Sequence, residues 1–122
     1  NQKVLKIDGQ GNIIWDRGFS NNGKEYHQFN INAAKNGDLI LTGSSIYNSQ
    51  MNNKADAYMM RIGNDGNIKW SYPYGTYDED DWGWSAHERP DGNIIMVGST
   101  KSFNASLFDI YLIGVNSDGV KN

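Results

Sequence analysis

The chain has 122 residues, a length that accommodates one domain. Its formal net charge of −3 provides none of the basic surface that binds nucleic acids and anionic membranes, so we expect no nucleic-acid partner. No apolar run approaches the roughly 18 residues that span a bilayer, so we expect no membrane insertion. The lack of cysteine excludes disulfides, a thiol nucleophile and a cysteine-ligated zinc site. Fourteen glycines and only two prolines are typical of a turn-rich β protein, and the many asparagine, glycine and aromatic residues favour an extracellular or cell-surface location.

The predicted elements are strands joined by tight turns, with no helical periodicity. The first is a hairpin from Val4 to Trp15. The elements that follow are strand 27–35, strand 38–45, polar loop 46–55, hairpin 56–75, strand 82–89, strand 93–100, polar loop 101–107 and a hairpin that begins at Asp109. In hairpin 56–75, Tyr58, Met60 and Ile62 alternate with their neighbours, which is the period-2 pattern of a strand. Its turn, 64–67, contains Asn, Asp and Gly, the residues that accept left-handed backbone.

An internal repeat organises these elements. When the sequence is shifted by 55 residues it matches itself without a gap, and after Ser102 the shift becomes 53. The first shift superimposes Ile7, Gly11, Asn12, Ile13 and Trp15 on Ile62, Gly66, Asn67, Ile68 and Trp70, and Gly37, Ile40, Gly43 and Ser44 on Gly92, Ile95, Gly98 and Ser99. The second superimposes Asp56, Tyr58, Asp65 and Gly66 on Asp109, Tyr111, Asp118 and Gly119. A repeat of this length indicates a solenoid, a propeller or an array.

Each repeat contains four predicted strands, the number in a β-propeller blade. The residues that carry a family resemblance are Asp56, Tyr58, Arg61, Gly66, Asn67, Ile68, Trp70, Tyr74 and Gly75, followed by Asp80, Trp82, Ser85, Asp91, Gly92, Ile95, Gly98 and Thr100. With them the chain resembles a group of bacterial β-propeller repeats, and it is similar to the pyrroloquinoline-quinone-type repeat, whose outer strand ends in a docking tryptophan. The resemblance implies an all-β partial β-propeller, with the outer strands of one blade in 1–26, a complete blade in 27–81 and part of a third in 82–122. It specifies a fold and no activity, because propellers serve many functions.

About two blades with flanking strands cannot close a ring, since a propeller needs four to eight. A blade also cannot bury both of its faces without neighbours. Either the chain is part of a longer propeller, or several copies assemble, although the uneven strand count argues against a simple ring. In both cases we expect apolar end faces and open strand edges that favour self-association.

The candidate ligand site combines acidic and aromatic residues of two successive repeats. Its members are Asp78, Asp80, Asp81, Trp82 and Trp84 from one repeat, and Glu25 and Tyr26 from the preceding one. An aromatic ring can cover the apolar face of a pyranose while carboxylates accept its hydroxyl hydrogens, so we predict a glycan or protein site here. The alternative is a solvated acidic loop, with Trp84 packed between blades.

The sequence supports a metal site or a catalytic site less than it supports a ligand-binding site. The four carboxylates of 78–81 could supply oxygens to Ca²⁺, but the first repeat has only Glu25 at that place. The turn at 64–67 resembles the start of a calcium loop and lacks its terminal Glu. His27 and His87 do not occupy equivalent positions, and catalytic triads and zinc sites need several convergent groups. We therefore predict no cofactor, with calcium as the alternative.

The sequence thus predicts a non-catalytic binding or scaffold module of a secreted or cell-surface protein, which recognises a glycan or protein through its blade-end loops. The rival hypothesis is a propeller-fold enzyme that acts on glycans, with an active site completed outside this chain. A third is a purely structural spacer. Acidic residues that recur between blades favour repeated binding, whereas a unique convergent set favours catalysis. The recurrence of Glu25 with Asp80 favours binding.

Overall fold

The computed structural model describes residues 2–19, 24–47, 53–76 and 78–122. Strands dominate these residues, and the predicted all-β class is confirmed. They are β1 (Gln2–Ile7), β2 (Ile13–Phe19), β3 (Lys24–Ala33), β4 (Leu39–Tyr47), β5 (Ala55–Ile62), β6 (Ile68–Pro73), β7 (Asp81–Glu88), β8 (Ile94–Thr100) and β9 (Asp109–Val115). One turn of 3₁₀-helix, Lys35–Gly37, joins β3 to β4. In the described ranges, no helix has the length and apolar character required to cross a bilayer.

The strands form three antiparallel sheets that follow one another along the chain. The first sheet contains β1 and β2, the middle sheet β3 to β6, and the third sheet β7 to β9, each in sequence order. None of the sheets is closed. The predicted strands are confirmed apart from the return strand of the last hairpin, where only a single bridge joins Val115 to Lys121. β2 continues to Phe19, four residues past the predicted end of its hairpin, and β3 begins at Lys24 rather than at residue 27. β3 is longer because its first residues pair with the end of β4, where Lys24 lies opposite Tyr47. Pro73 ends β6 at the sheet edge, where its missing N–H breaks no ladder bond.

In four hairpin turns an Asp or Asn side chain accepts backbone N–H groups of the turn. In the turn between β5 and β6, the Asp65 side chain accepts the Asn67 N–H at 3.0 Å, and Gly66 adopts a left-handed φ of 84°. Asp91 accepts the Asn93 N–H in the same way. Asp8 and Asn116 instead lie three residues before the turn glycine, and each accepts the N–H groups two and four residues further on. These local bonds stabilise turns that Asp, Asn and Gly favour intrinsically.

The middle sheet lies between the other two and is buried on both faces. One face packs against the first sheet through Leu41, Tyr58, Met60 and Ile62, which meet Val4, Trp15 and Phe19. The opposite face packs against the third sheet through Ile40, Ala57, Met59, Trp70 and Tyr74, which meet Ala86, Ile94, Met96, Tyr111, Ile113 and Val115. Successive side chains of a strand point to opposite faces, so β5 supplies both cores. This double burial explains why β5 is apolar almost throughout.

Two tryptophans connect each sheet to the next in the same way. Trp15 of the first sheet donates its indole N–H to the carbonyl of Asn64 in the β5–β6 turn, at 2.9 Å. Trp70 of the middle sheet donates to Ser117 in the turn after β9, also at 2.9 Å. Each indole ring also lies against the glycine two residues after the carbonyl that it binds. A Cβ would come within 2.9 Å of the ring at Gly66 and within 2.8 Å at Gly119. Both tryptophans therefore pack between neighbouring sheets.

A buried ion network also joins the middle and third sheets. Arg61 of β5 contacts Asp38 at 2.7 Å and Glu88 of β7 at 2.9 Å, and Lys69 contacts Asp38 at 2.7 Å. Burial alone would raise the pKa of Asp38, but hydrogen bonds from Lys69 and Arg61 outweigh it and hold that pKa below 3.8. Burial likewise opposes ionisation of Glu88, and hydrogen bonds from the Lys35 N–H and Arg61 still keep its pKa below 4.5. The network is therefore ionised at neutral pH.

Candidate functional site

The sheets have two different edges. At one edge, here called the turn edge, tight turns connect β1 to β2, β3 to β4, β5 to β6 and β7 to β8. The other edge, here called the loop edge, contains the first residues of β3, β5, β7 and β9. The longer connections 74–80 and 101–108 also lie there. The predicted ligand-binding residues lie in these connections or in the first residues of β3 and β7, so all belong to the loop edge or its immediate vicinity.

Asp81 is fully buried at the start of β7, and its carboxylate accepts hydrogen bonds from three donors of the protein. Its carboxylate accepts hydrogen bonds from the hydroxyls of Thr100 and Ser102, the latter at 2.7 Å, and from the Thr76 N–H at 3.1 Å. Because a carboxylate buried without partners is costly, these three donors explain how Asp81 is tolerated in the interior. The structure thus gives Asp81 a role in joining β7, β8 and the 74–80 connection.

A second carboxylate, Asp56, lies close to Asp81. A Cβ at Gly75 would lie 2.9 Å from Asp56 Oδ1 and nearer still to Asp81, so the chain passes between the two acids only because residue 75 is glycine. Burial, followed by the charges of Asp81 and Asp56, raises the pKa of Tyr111 to about 12. The sequence marks Asp56 through its recurrence as Asp109, but it does not indicate the proximity to Asp81.

Asp80 is partly buried and organises a cluster of mixed charge. It accepts the Ala55 N–H at 3.1 Å, and it lies 3.5 Å from Lys54 Nζ and 3.9 Å from Lys101 Nζ. Lys54 also lies 3.9 Å from Glu79. Ion pairs this accessible to water contribute little to stability, so the cluster retains charged groups that a ligand can engage.

Trp82 forms an aromatic pair beside that cluster. Its ring centroid lies 4.5 Å from that of Phe108, with 30° between the planes, and Lys101 Nζ lies 4.4 Å from the Phe108 centroid. Phe108 is 43% exposed and Trp82 is half-buried. The pair therefore presents an aromatic surface to solvent, bordered by an ammonium group and by Asp80.

Trp84 lies on the same strand and is half-exposed. Its indole N–H donates to the Ser99 hydroxyl at 3.1 Å, and Ser99 is the cross-strand partner of Trp82. Both predicted tryptophans are thus near the loop edge of the third sheet. The alternative role of Trp84, packing between blades, stays a prediction.

Glu25 and Tyr26 lie further from this cluster. Tyr26 packs edge-on against Tyr58, with 5.0 Å between centroids, and borders the core shared with the first sheet. That contact places Tyr26 on the face of the middle sheet opposite to the third sheet. Glu25 is exposed at the loop edge on β3, and β4 lies between it and Ala55, the β5 residue that binds Asp80; two strand spacings place Glu25 about 10 Å from Ala55. Asp78 is exposed in the loop itself.

Sequence reasoning missed three side chains of this cluster: Lys54, Lys101 and Phe108. Lys101 is the first residue of the polar loop 101–107, and Phe108 follows the loop. Their position beside Trp82 follows from the pairing of β7 with β8 and β8 with β9. The only sequence signal for this arrangement is Phe108, a single aromatic residue directly after a polar loop. In the part of the chain that the structure describes, no group of three or more acidic or histidine side chains could hold a metal ion. The calcium alternative therefore gains no support from the geometry.

In comparisons with known proteins, the chain matches no protein-family model, and the curated proteins include no significant match to it.

Proposed function

We propose that the chain is a non-catalytic binding module of a secreted or cell-surface protein, built as part of a β-propeller, and that it recognises a glycan at the loop edge. The propeller arrangement is supported by the sheet order and by the repeated docking of Trp15 and Trp70 on the turn of the next sheet. Further sheets, from the same polypeptide or from other copies, would continue the stack.

The observation that carries the ligand proposal is the solvent-facing pair of Trp82 and Phe108 beside Asp80 and Lys101. Pyranose rings combine an apolar face of C–H groups with a rim of hydroxyls. An aromatic pair would cover the apolar face, while the carboxylate would accept hydroxyl hydrogens and the ammonium would donate to ring or hydroxyl oxygens. Asp78 and Glu25, both exposed, would contact sugars at the periphery. Asp81, Tyr26 and Trp84 would act in support, by fixing the strands that carry the site.

A glycan array probed with the labelled chain tests this proposal, and calorimetry with the strongest hit measures its affinity. We expect Phe108→Ala to weaken binding about two- to tenfold, since aromatic stacking contributes about 0.5–1.5 kcal/mol. The matched control is Phe103→Ala. Phe103 lies in the same loop and is 61% exposed, but it packs against Tyr111 rather than Trp82.

If Phe108→Ala and Phe103→Ala bind the hit equally well, the aromatic pair is not the site. Prolonged incubation of the hit with the chain, followed by mass spectrometry of the sugar, separates binding from the rival enzymatic hypothesis. An intact glycan is the result expected of a binding module.

A further inference from the structure

The aromatic pair at the loop edge already holds a cation of the protein itself. Lys101 Nζ lies 4.4 Å from the centroid of the Phe108 ring, and the centroid of that ring lies 4.5 Å from that of Trp82. An ammonium group is attracted to the negative face of an aromatic ring. The aromatic surface therefore has the geometry and the electrostatic character needed to accept a positively charged group.

A carboxylate completes the place that this ammonium group occupies. Asp80 Oδ2 lies 3.9 Å from Lys101 Nζ and 3.5 Å from Lys54 Nζ. The other oxygen of Asp80 accepts the Ala55 N–H at 3.1 Å, which fixes the orientation of the carboxylate. A cation at this position is thus bound from two sides, by an aromatic face and by a carboxylate that the backbone of β5 holds in place.

The charges around the aromatic pair favour a cationic ligand over an anionic one. Asp78, Glu79 and Asp80 are consecutive, and two ammonium groups, those of Lys54 and Lys101, contact this stretch. Three carboxylates against two ammonium groups leave one negative charge in excess. The side chains of Lys54 and Lys101 are 39% and 36% exposed, so water weakens their ion pairs and a ligand can compete with them.

We propose, on the basis of the glycan site proposed above, that the bound glycan carries unsubstituted amino groups and that one of its ammonium groups takes the position of Lys101 between Phe108 and Asp80. In a hexosamine the nitrogen is bonded directly to a ring carbon. The apolar face of the pyranose can therefore cover Trp82 while the ammonium group reaches the carboxylate. N-acetylation removes the positive charge of the sugar and with it this contact.

Two tetrasaccharides that differ only in acetylation test the proposal. The tetramers of glucosamine and of N-acetylglucosamine, with the same linkage, are titrated into the chain by calorimetry. The buffer is at about pH 6, where the amines are protonated, and at low ionic strength, where charge contacts are least screened. We expect the glucosamine tetramer to bind at least roughly tenfold more tightly, because the charge-assisted and cation–π contacts act on it alone.

Lys101→Ala adds a readout that is specific to a cationic ligand. It removes the competing ammonium group from Phe108, so the ratio of the two affinities is expected to rise roughly two- to fivefold. Any contact that both sugars lose cancels in this ratio. Lys3→Ala is the matched control, because Lys3 also lies in an exposed ion pair, with Asp16, but on the first sheet, and it should leave the ratio unchanged. Asp80→Asn retains an acceptor for the backbone N–H and should bring the two affinities close together.

Equal binding of the two tetramers overturns the proposal, as does a ratio that Lys101→Ala leaves unchanged or lowers, while the glycan site itself stands. Binding of neither tetramer also overturns it. In that case a neutral sugar from the glycan array that depends on Phe108 preserves the proposed function, and the absence of any array hit removes both. Trilysine is the last comparison: if it binds as tightly as the glucosamine tetramer and displaces it, the site recognises charge without sugar, and the proposal is wrong.

Discussion

Replacing Arg61 with methionine tests how strongly the buried ion network holds the middle and third sheets together. Arg61 is 7% exposed and lies 2.7 Å from Asp38 and 2.9 Å from Glu88, which are buried as well. Methionine retains much of the apolar stem but leaves two carboxylates without their shared cation. Removal of one partner from a buried ion pair costs about 3–5 kcal/mol. Lys69 still contacts Asp38, so we expect a loss near the lower end, about 3 kcal/mol.

Urea denaturation at pH 7 measures this loss as a decrease of the midpoint by about 1 M or more. Lys3→Met is the matched control, because Lys3 and Asp16 also lie 2.7 Å apart but are exposed, and such a pair contributes at most about 1 kcal/mol. The penalty of Arg61→Met should also depend on pH. Asp38 and Glu88 have lowered pKa values in the folded protein, so their contribution is complete above their ordinary values of 3.8 and 4.5 and is lost as the pH falls through the folded values.

The reasoning is refuted if Arg61→Met costs no more than Lys3→Met at pH 7. It is also refuted if the penalty is unchanged at a pH where both carboxylates are protonated, because the loss would then come from packing rather than from charge.

Three further predictions concern the turns and the loop edge. Gly119→Ala should lose at least about 1 kcal/mol more than Gly92→Ala in urea denaturation, because both substitutions force a left-handed alanine but only the first pushes against Trp70. Asp81→Asn should cost about 1–3 kcal/mol at pH 7, since three buried donors lose a charged acceptor, and equal stability to wild type would argue against the hydrogen-bond network. Hydrogen bonds from Asn67 lower the pKa of Asp65, so its contribution is present above pH 3.8 and lost as the pH falls through the folded value. Asp65→Asn should therefore flatten the acid limb of a plot of urea midpoint against pH.

The strands and turns of this protein are predictable from the sequence because their signals are local. Alternation in β5 and the Asp-Gly and Asn-Gly turns depend on neighbouring residues, and the structure confirms them. The repeat adds a prediction of tertiary structure, because it indicates that Trp15 and Trp70 have the same role in successive sheets. It does not indicate which atoms receive them, because the carbonyls of Asn64 and Ser117 lie almost a whole repeat further along the chain.

The candidate site was harder to predict, for a geometric reason. Residues that are neighbours in sequence point alternately to the two faces of a strand, so the side chains of a contiguous predicted cluster differ in burial. Asp81 is consequently buried among Thr76, Thr100 and Ser102, and Tyr26 turns towards the first sheet. Phe108, by contrast, reaches Trp82 from 26 residues away, through two strand pairings that no local pattern describes.

The sequence by itself determined the all-β class, the positions of the strands and the repeat that relates them, because backbone preference and side-chain alternation act over a few residues. Only the tertiary structure decided which faces are buried, which charges pair and which aromatic rings remain in contact with water. Those outcomes depend on packing between strands that are far apart in the chain. Arg61 shows the difference most clearly: its place in a strand is evident from alternation, whereas its burial is tolerable only because the fold brings Asp38 and Glu88 to it.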